Sequence, residues 1–426
     1  MIKRTNTTET FFLASKYSEI ASLKQLMTNA ELVIQVSNLI HQLQRERGLS
    51  NLFLASKGER LGDQLSQQIE ESKNSQVEFR EQLEQLDIES ISLTRSSKLF
   101  NNIAFALHVL EGMPELREKI RAQSIAAEDS CQAMSRIIAA LLAVIFEAAD
   151  LSDDPEITRA LVAMFNFMQC KEYAGQERAW AALGFAAGQF EQEDLDRIST
   201  LVDIQKNSLD TFREFASDNQ VVEWNEYETG KEHQELDRLR TVISRIEPGK
   251  DVTSEISEVW YEIATVRIDA MQILERKQAA ALISLCEQRV SEADTELKKQ
   301  HDSLEMLSSL NDPTTTSYTP LLDSSLTGMD SSNPGMNTDW VRALYGLVQQ
   351  QAEGLRNMSD ELAEARRALS ERKRVERAKG LLMQFHGMSE PQAHRKLQQS
   401  AMNQKKSLIE VADILINEFE KLKDKI

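Results

Sequence analysis

Two arginines stand where apolar residues are expected. Along the segment ELVIQVSNLIHQLQRERGLSNLFLASKG, steps of four and three trace one helical face through Val36, Ile40, Leu43, Arg47, Ser50 and Leu54. Arg47 thus falls inside an apolar stripe, with the Ser50 hydroxyl one turn further on. A guanidinium stays charged there, and burying it unpaired is unfavourable by several kcal/mol, so it needs an acid from the chain or an anion from solution. Gly48 beside it weakens the helix by ~1 kcal/mol, as expected where something approaches the backbone closely. A second segment repeats the pattern: Met164, Phe167, Lys171, Ala174, Arg178, Ala182 and Phe185 share one face, again with an arginine inside it. Two such arginines make a candidate anion pocket, because a planar fork of N–H donors matches a small planar oxyanion. The alternative is that Glu46, Glu172 or Glu177 neutralises them across the bundle.

A second kind of chemistry lies near the C-terminus. The net charge is −19, yet residues 366–406 carry eleven lysines and arginines against three acids. That segment is +8 and the remainder −27, so phosphate backbones are attracted to the one and repelled by the other. A solvated helix face accounts for the charge run equally well.

Catalytic patterns are missing. The six histidines form no HExxH, and there is no GxxxxGK[ST] loop, GxGxxG turn or nucleophile elbow, so no enzyme is expected. Cys131, Cys170 and Cys286 form no CxxC pair, which argues against a disulfide framework or a zinc site and fits a reducing cytoplasm; no cofactor is expected. The N-terminus has no secretory pattern. The most apolar stretch, Ile137 to Phe146, is about half the ~20 residues that span a bilayer, so no membrane partner is expected.

The elements that must position these residues are helices. Only 15 glycines and 7 prolines punctuate 426 residues, alternating β-branched runs are lacking, and an all-α fold follows. Turn signals near Lys57-Gly58, Met113-Pro114, Ser152 to Pro155, Gly188 and Pro248-Gly249 divide residues 1–307 into antiparallel bundles. Glu46-Arg47-Gly48, with Phe53 and Gly58 after it, is echoed by Glu177-Arg178-Ala179, Phe185 and Gly188, as in a duplicated four-helix bundle. Residues 308–339, rich in Ser, Thr, Pro and Gly, read as a flexible linker. Residues 340–370 repeat apolar positions at spacings of three and four, which reads as the seam of a coiled-coil homodimer, the alternative being a helix packed on the N-terminal domain of its own chain. Residues 371–426 should form a small three-helix bundle: Gly387 ends its first helix, Ser389 and Pro391 open the second, and a capping box from Ser407 to Glu410 opens the third.

The segment VERAKGLLMQFHGMSEPQAHRKLQQSAMNQKKSLIEVADILI resembles the ANTAR domain, an RNA-binding three-helix bundle of antiterminators. Its pattern is matched at Ala378, Lys379, Gly380, Leu381, Leu382 and Met383, then at Ser389, Ala393, Leu397, Ala401, Met402, Val411 and Ala412. Upstream, QRERGLSNLFLASKG and KEYAGQERA resemble the nitrate- and nitrite-sensing NIT domain. The resemblance implies a cytoplasmic antitermination regulator, in which nitrate or nitrite bound by the sensor lets the tail grip a leader-RNA hairpin and activates nitrate-assimilation genes. It carries over Arg47, Ser50 and Arg178 as ligand contacts, with Arg238, preferred to Arg240, as a third arginine. For RNA it favours Arg374, Arg377, Lys379, Arg395, Lys396, Lys405 and Lys406. Such a chain lacks a receiver domain, so the ligand itself must be the switch. The competing reading is a coiled-coil signalling adaptor whose bundle binds another small anion or a protein.

Overall fold

A computed structural model of the chain describes residues 7–86, 97–150, 154–309, 362–364, 366–368, 370–383, 385–388 and 390–423. Among them every regular element is a helix. In order these are α1 (Thr7–Ala55), α2 (Gly62–Glu84), α3 (Ser97–Leu110), α4 (Met113–Arg121), α5 (Ala127–Asp150), α6 (Pro155–Ala187), α7 (Gln192–Phe215), α8 (Asp218–Glu228), α9 (Lys231–Ile243) and α10 (Ile256–Ser309). A tail follows with α11 (370–383), α12 (Glu390–Gln404) and α13 (Leu408–Lys423). The fold is all-α. The expected linker and most of the expected coiled-coil seam lie outside the described residues, as does Ser389.

Among the described residues several of the expected turns have a local cause. Lys57 and Gly58 both have positive φ, 52° and 79°, after α1, and Gly188 at 75° closes α6. Asp154 caps α6 by accepting from the Ile157 amide at 2.9 Å, with Pro155 at the first helical position, where a missing N–H is harmless. Gly249 at 72° follows Pro248. In the tail, Gly387 has φ 64°, and the capping box is complete: the Glu410 amide donates to Ser407 Oγ and the Ser407 amide to Glu410 Oε2.

The chain forms two compact units, and they divide two long helices rather than falling on either side of the linker. One holds the start of α1 and the end of α10, where Lys16 Nζ bonds Glu296 Oε2 at 2.9 Å and Ile20, Leu23 and Ala293 are buried. The other holds residues 25–286 together with the tail from Leu362 onward.

Inside the larger unit α6 is the central helix, buried on nearly every side from Pro155 to Phe185. A helix apolar or occupied all round must be enclosed by neighbours. Against its C-terminal half pack Phe190, Trp260, Leu201 and Ile204, with Phe185 of α6 and Phe190 edge to face at 5.0 Å. Gly184 makes room for this: a Cβ there would meet Phe190 Cε1 at 2.1 Å. One stretch, Ala127–Ala148 of α5, is long and apolar enough to cross a membrane, more than the ten residues picked out from sequence. Most of it is buried against the bundle, which accounts for its apolar character. The tail has its own core of Val375, Ala378, Leu382, Leu397, Val411 and Ile416.

Gly184→Val should lower the urea midpoint by the equivalent of about 1–3 kcal/mol, since Phe190 has no space to retreat into. An unchanged midpoint would show that the ring is not held there.

Candidate functional site

Arg47 and Arg178 are both buried, at 0% and 1% exposure. They cross between α1 and α6. A Cβ on Gly175 of α6 would lie 2.7 Å from Arg47 Nη2, and one on Gly48 of α1 would lie 2.6 Å from Arg178 Nη2. The close approach expected at Gly48 is therefore made by the second arginine. Arg47 Nη1 donates to Ser135 Oγ of α5 at 2.8 Å, and Arg178 Nη1 to Thr265 Oγ1 of α10 at 2.9 Å. These hydroxyls are 130 residues apart and the arginines 131, so the weak sequence repeat marks matching bonds.

The remaining partners differ. Arg47 forks onto Glu172 at 2.5 and 3.2 Å. Burial works against its charge, but the Glu172 carboxylate outweighs this and raises its pKa. Arg178 instead donates to the Gln44 carbonyl at 3.2 Å and lies over the Tyr261 ring at 4.7 Å. Among the described residues it forms no ion pair. The alternative that acids of the chain neutralise both arginines thus holds for Arg47 alone. Ser50 is buried on the same face, with its hydroxyl unbonded.

The neighbouring acids serve other bases. Glu46 takes two bonds from Arg117 at 2.7 and 2.8 Å, and Glu177 takes two from Arg240, both at 2.7 Å. Gln205 Oε1 accepts from Arg240 and from Arg267, which is 3% exposed. Burial pushes Arg267 down, and Arg240 beside it adds to this. Glu177 stays well below the usual carboxylate range because the two arginines outweigh its burial. Here the choice of Arg238 needs correcting: it lies on the exposed face of α9, and Arg240 is the arginine turned into the bundle. Two residues along a helix is about 200° of rotation, so only one of the pair can face inward.

The tail is docked on the bundle of residues 25–286. Lys379 is 2% exposed and donates to Glu390 Oε1 at 2.8 Å and to the Tyr173 hydroxyl of α6 at 3.1 Å. Tyr173 in turn donates to Glu390 at 2.8 Å. Burial opposes the charge on Lys379, but Glu376 and Glu390 raise its pKa well above normal. Arg372 bonds Gln169 at 3.1 Å, Lys373 pairs with Glu147 at 2.7 Å, and Arg395 pairs with Asp196 at 2.5 Å. Of the remaining expected RNA contacts, Arg374 is tied to Asp413 of the tail at 2.7 Å, whereas Arg377, Lys396, Lys405 and Lys406 are exposed.

The profile of the family described as nitrate and nitrite sensing matches residues 38–283, which contain both arginines. The chain belongs to the NIT family. The ANTAR profile matches residues 363–416, the tail. Over 408 residues the chain is 31% identical to the nitrate regulatory protein of Klebsiella oxytoca, covering 95% of this chain and 94% of that one. The solved structure of the NasR transcription antiterminator superposes with a TM-score of 0.61 at 29% identity, covering 96% of this chain and 98% of that one. The transcriptional regulatory protein PdtaR of Mycobacterium tuberculosis shares 39% identity over 67 residues, 16% of this chain and 33% of its own. This NIT protein is a nitrate-responsive regulator, not an enzyme.

Sequence reasoning missed Gln44, Gln176, Ser135, Thr265, Tyr173 and Arg267. Only the serine and threonine had a usable signal, an offset within one residue of that of the arginines. Glu172 was named, but as one of three possible acids.

Two predictions follow from the buried charges. Glu46→Gln should destabilise the NIT domain by roughly 3–5 kcal/mol, because it leaves Arg117 uncompensated; a loss under 1 kcal/mol in urea would refute that. His41 and His394 are held near pKa 2 and 3 by burial first and by Lys171 and Lys379 next. Their folded pKa values lie below the unfolded one of ~6.5, so the unfolded state binds more protons. Stability should be full above about pH 6.5 and fall as pH drops towards 4, by up to about 1.4 kcal/mol per unit for each histidine. His41→Gln should flatten the melting-temperature profile over that range.

Proposed function

We propose that the protein is a one-component antiterminator, in which nitrate or nitrite bound at the buried arginines releases the ANTAR tail to hold a leader-RNA hairpin. The observation that carries this reading is Lys379. It is one of the basic residues expected to meet RNA, and it is buried against Tyr173 of the sensor. A tail held so has part of its cationic surface withdrawn, which supports a resting state. The sensor adds an electrostatic reason, since Glu147 and Asp196 pair with Lys373 and Arg395 and thereby compete with phosphates.

The ligand end has matching physical grounds. Nitrate is planar and weakly hydrated, so a dry site offering guanidinium forks can retain it. Ser50 and Arg178 carry unbonded buried donors beside those forks, at Oγ and Nε. A ligand shifts an equilibrium only by its differential affinity for the two states. An anion that draws α1 and α6 together has that property, because α6 also bears Tyr173. On this reading the protein works in the cytoplasm beside the nascent transcript, as a homodimer if the 340–370 seam pairs.

The test is leader-hairpin binding by the full-length protein at fixed salt, followed by fluorescence anisotropy. Nitrate should raise the affinity at least tenfold, and Arg47→Ala should abolish the response. Tyr173→Phe should bind the hairpin without nitrate, since it loses both hydrogen bonds of the hydroxyl. Equal affinities with and without nitrate in the wild type would sink the coupling, and equal binding of unrelated RNAs would favour a nonspecific tail.

A further inference from the structure

The acid that fills Arg47 is itself held as a bound anion would be. Glu172 Oε1 accepts from Arg47 Nη1 at 2.5 Å and Gln176 Nε2 at 2.9 Å, and Oε2 from Gln44 Nε2 at 2.9 Å and Arg47 Nη2 at 3.2 Å. Four N–H groups from three side chains surround one planar O–C–O edge, and all are buried. An O–N–O edge of nitrate or nitrite has the same shape and acceptor directions. We infer that Glu172 is an internal surrogate for the effector, and that Arg47, Gln44 and Gln176 form the donor cage from which the anion displaces it. This rests on the reading that the sensor binds nitrate or nitrite.

The duplicated half shows that the acid is no requirement of the fold. Stepping back 131 residues from Glu172 leads to His41, which burial keeps neutral, and Arg178 manages with Thr265, a backbone carbonyl and a tyrosine ring. One of two matching arginines has received a carboxylate and the other has not. The pair therefore retains one positive charge in a dry site, enough to draw in a monoanion.

A displaced carboxylate also has somewhere to go. Glu172 and Gln176 line a cavity of about 350 Å³ whose other wall includes Lys373, Glu376, Arg377 and Glu390 of the tail. Entry of the anion thus sends a negative charge toward the acids that hold Lys379, and Tyr173, the next residue on α6, makes the bond to the tail. An internal competitor lowers the apparent affinity by the fraction of time the cage is occupied. It sets the anion concentration at which the switch responds.

The test is calorimetric titration of the full-length protein with sodium nitrate, ionic strength held constant with sodium sulfate. Glu172→Gln should bind nitrate at least tenfold more tightly than wild type, and Gln176→Leu at least fivefold more weakly. If Glu172→Gln folds only with nitrate present, or gains a larger nitrate-induced rise in melting temperature than wild type, the surrogate role is equally supported. If wild type binds nitrate while Glu172→Gln gains nothing and Gln176→Leu loses nothing, the inference falls and the sensor reading stands. If Glu172→Gln does not fold under any condition, Gln44→Leu and Gln176→Leu decide alone, and unchanged binding in both overturns the cage. Absence of nitrate and nitrite binding in wild type would remove the sensor reading itself.

Discussion

A guanidinium cannot shed its charge, so each one buried in this protein must be answered by something within reach. Arg47, Arg117, Arg178 and Arg267 are buried and Arg240 mostly so, and each finds a partner on another helix far away in sequence: Ser135, Glu46, Thr265, Gln205 and Glu177 in turn. That demand ties the helices together at defined heights. Hydrophobic contacts alone would tolerate sliding, whereas two parallel N–H bonds on one carboxylate would not.

The same demand explains how a duplicated architecture became unequal. Ser135 and Thr265 answer Arg47 and Arg178 alike, and Glu46 with Arg117 corresponds to Glu177 with Arg240. The halves part at residue 172, where one carries a carboxylate and the other, at residue 41, a neutral imidazole. Perfect symmetry would leave both arginines satisfied or both wanting. The difference leaves Arg178 without a carboxylate on the same helix that bears Tyr173.

Docking of the tail uses the charge division of the chain in a more particular way than bulk attraction. Lys373, Lys379 and Arg395 meet individual acids, and Lys379 loses its water altogether. A desolvated ammonium held by Glu376, Glu390 and a phenol is stable only while all three stay in place. Such a contact responds to small movements of α6, whereas exposed pairs such as Arg395 with Asp196 contribute little and are screened by salt.

How far the sequence reached depended on whether a signal was local. Helical periodicity, the Ser407–Glu410 capping box and the turn glycines are set within a few residues, and all were legible. The apolar stripe likewise placed Arg47 and Arg178 indoors. What tertiary structure alone decided was which partner each received, that Arg240 rather than Arg238 turns inward, and that Lys379 faces the sensor. Those outcomes depend on the rotation and height of helices separated by 63 to 206 residues. Periodicity says which face is buried, but only packing says what lies opposite it.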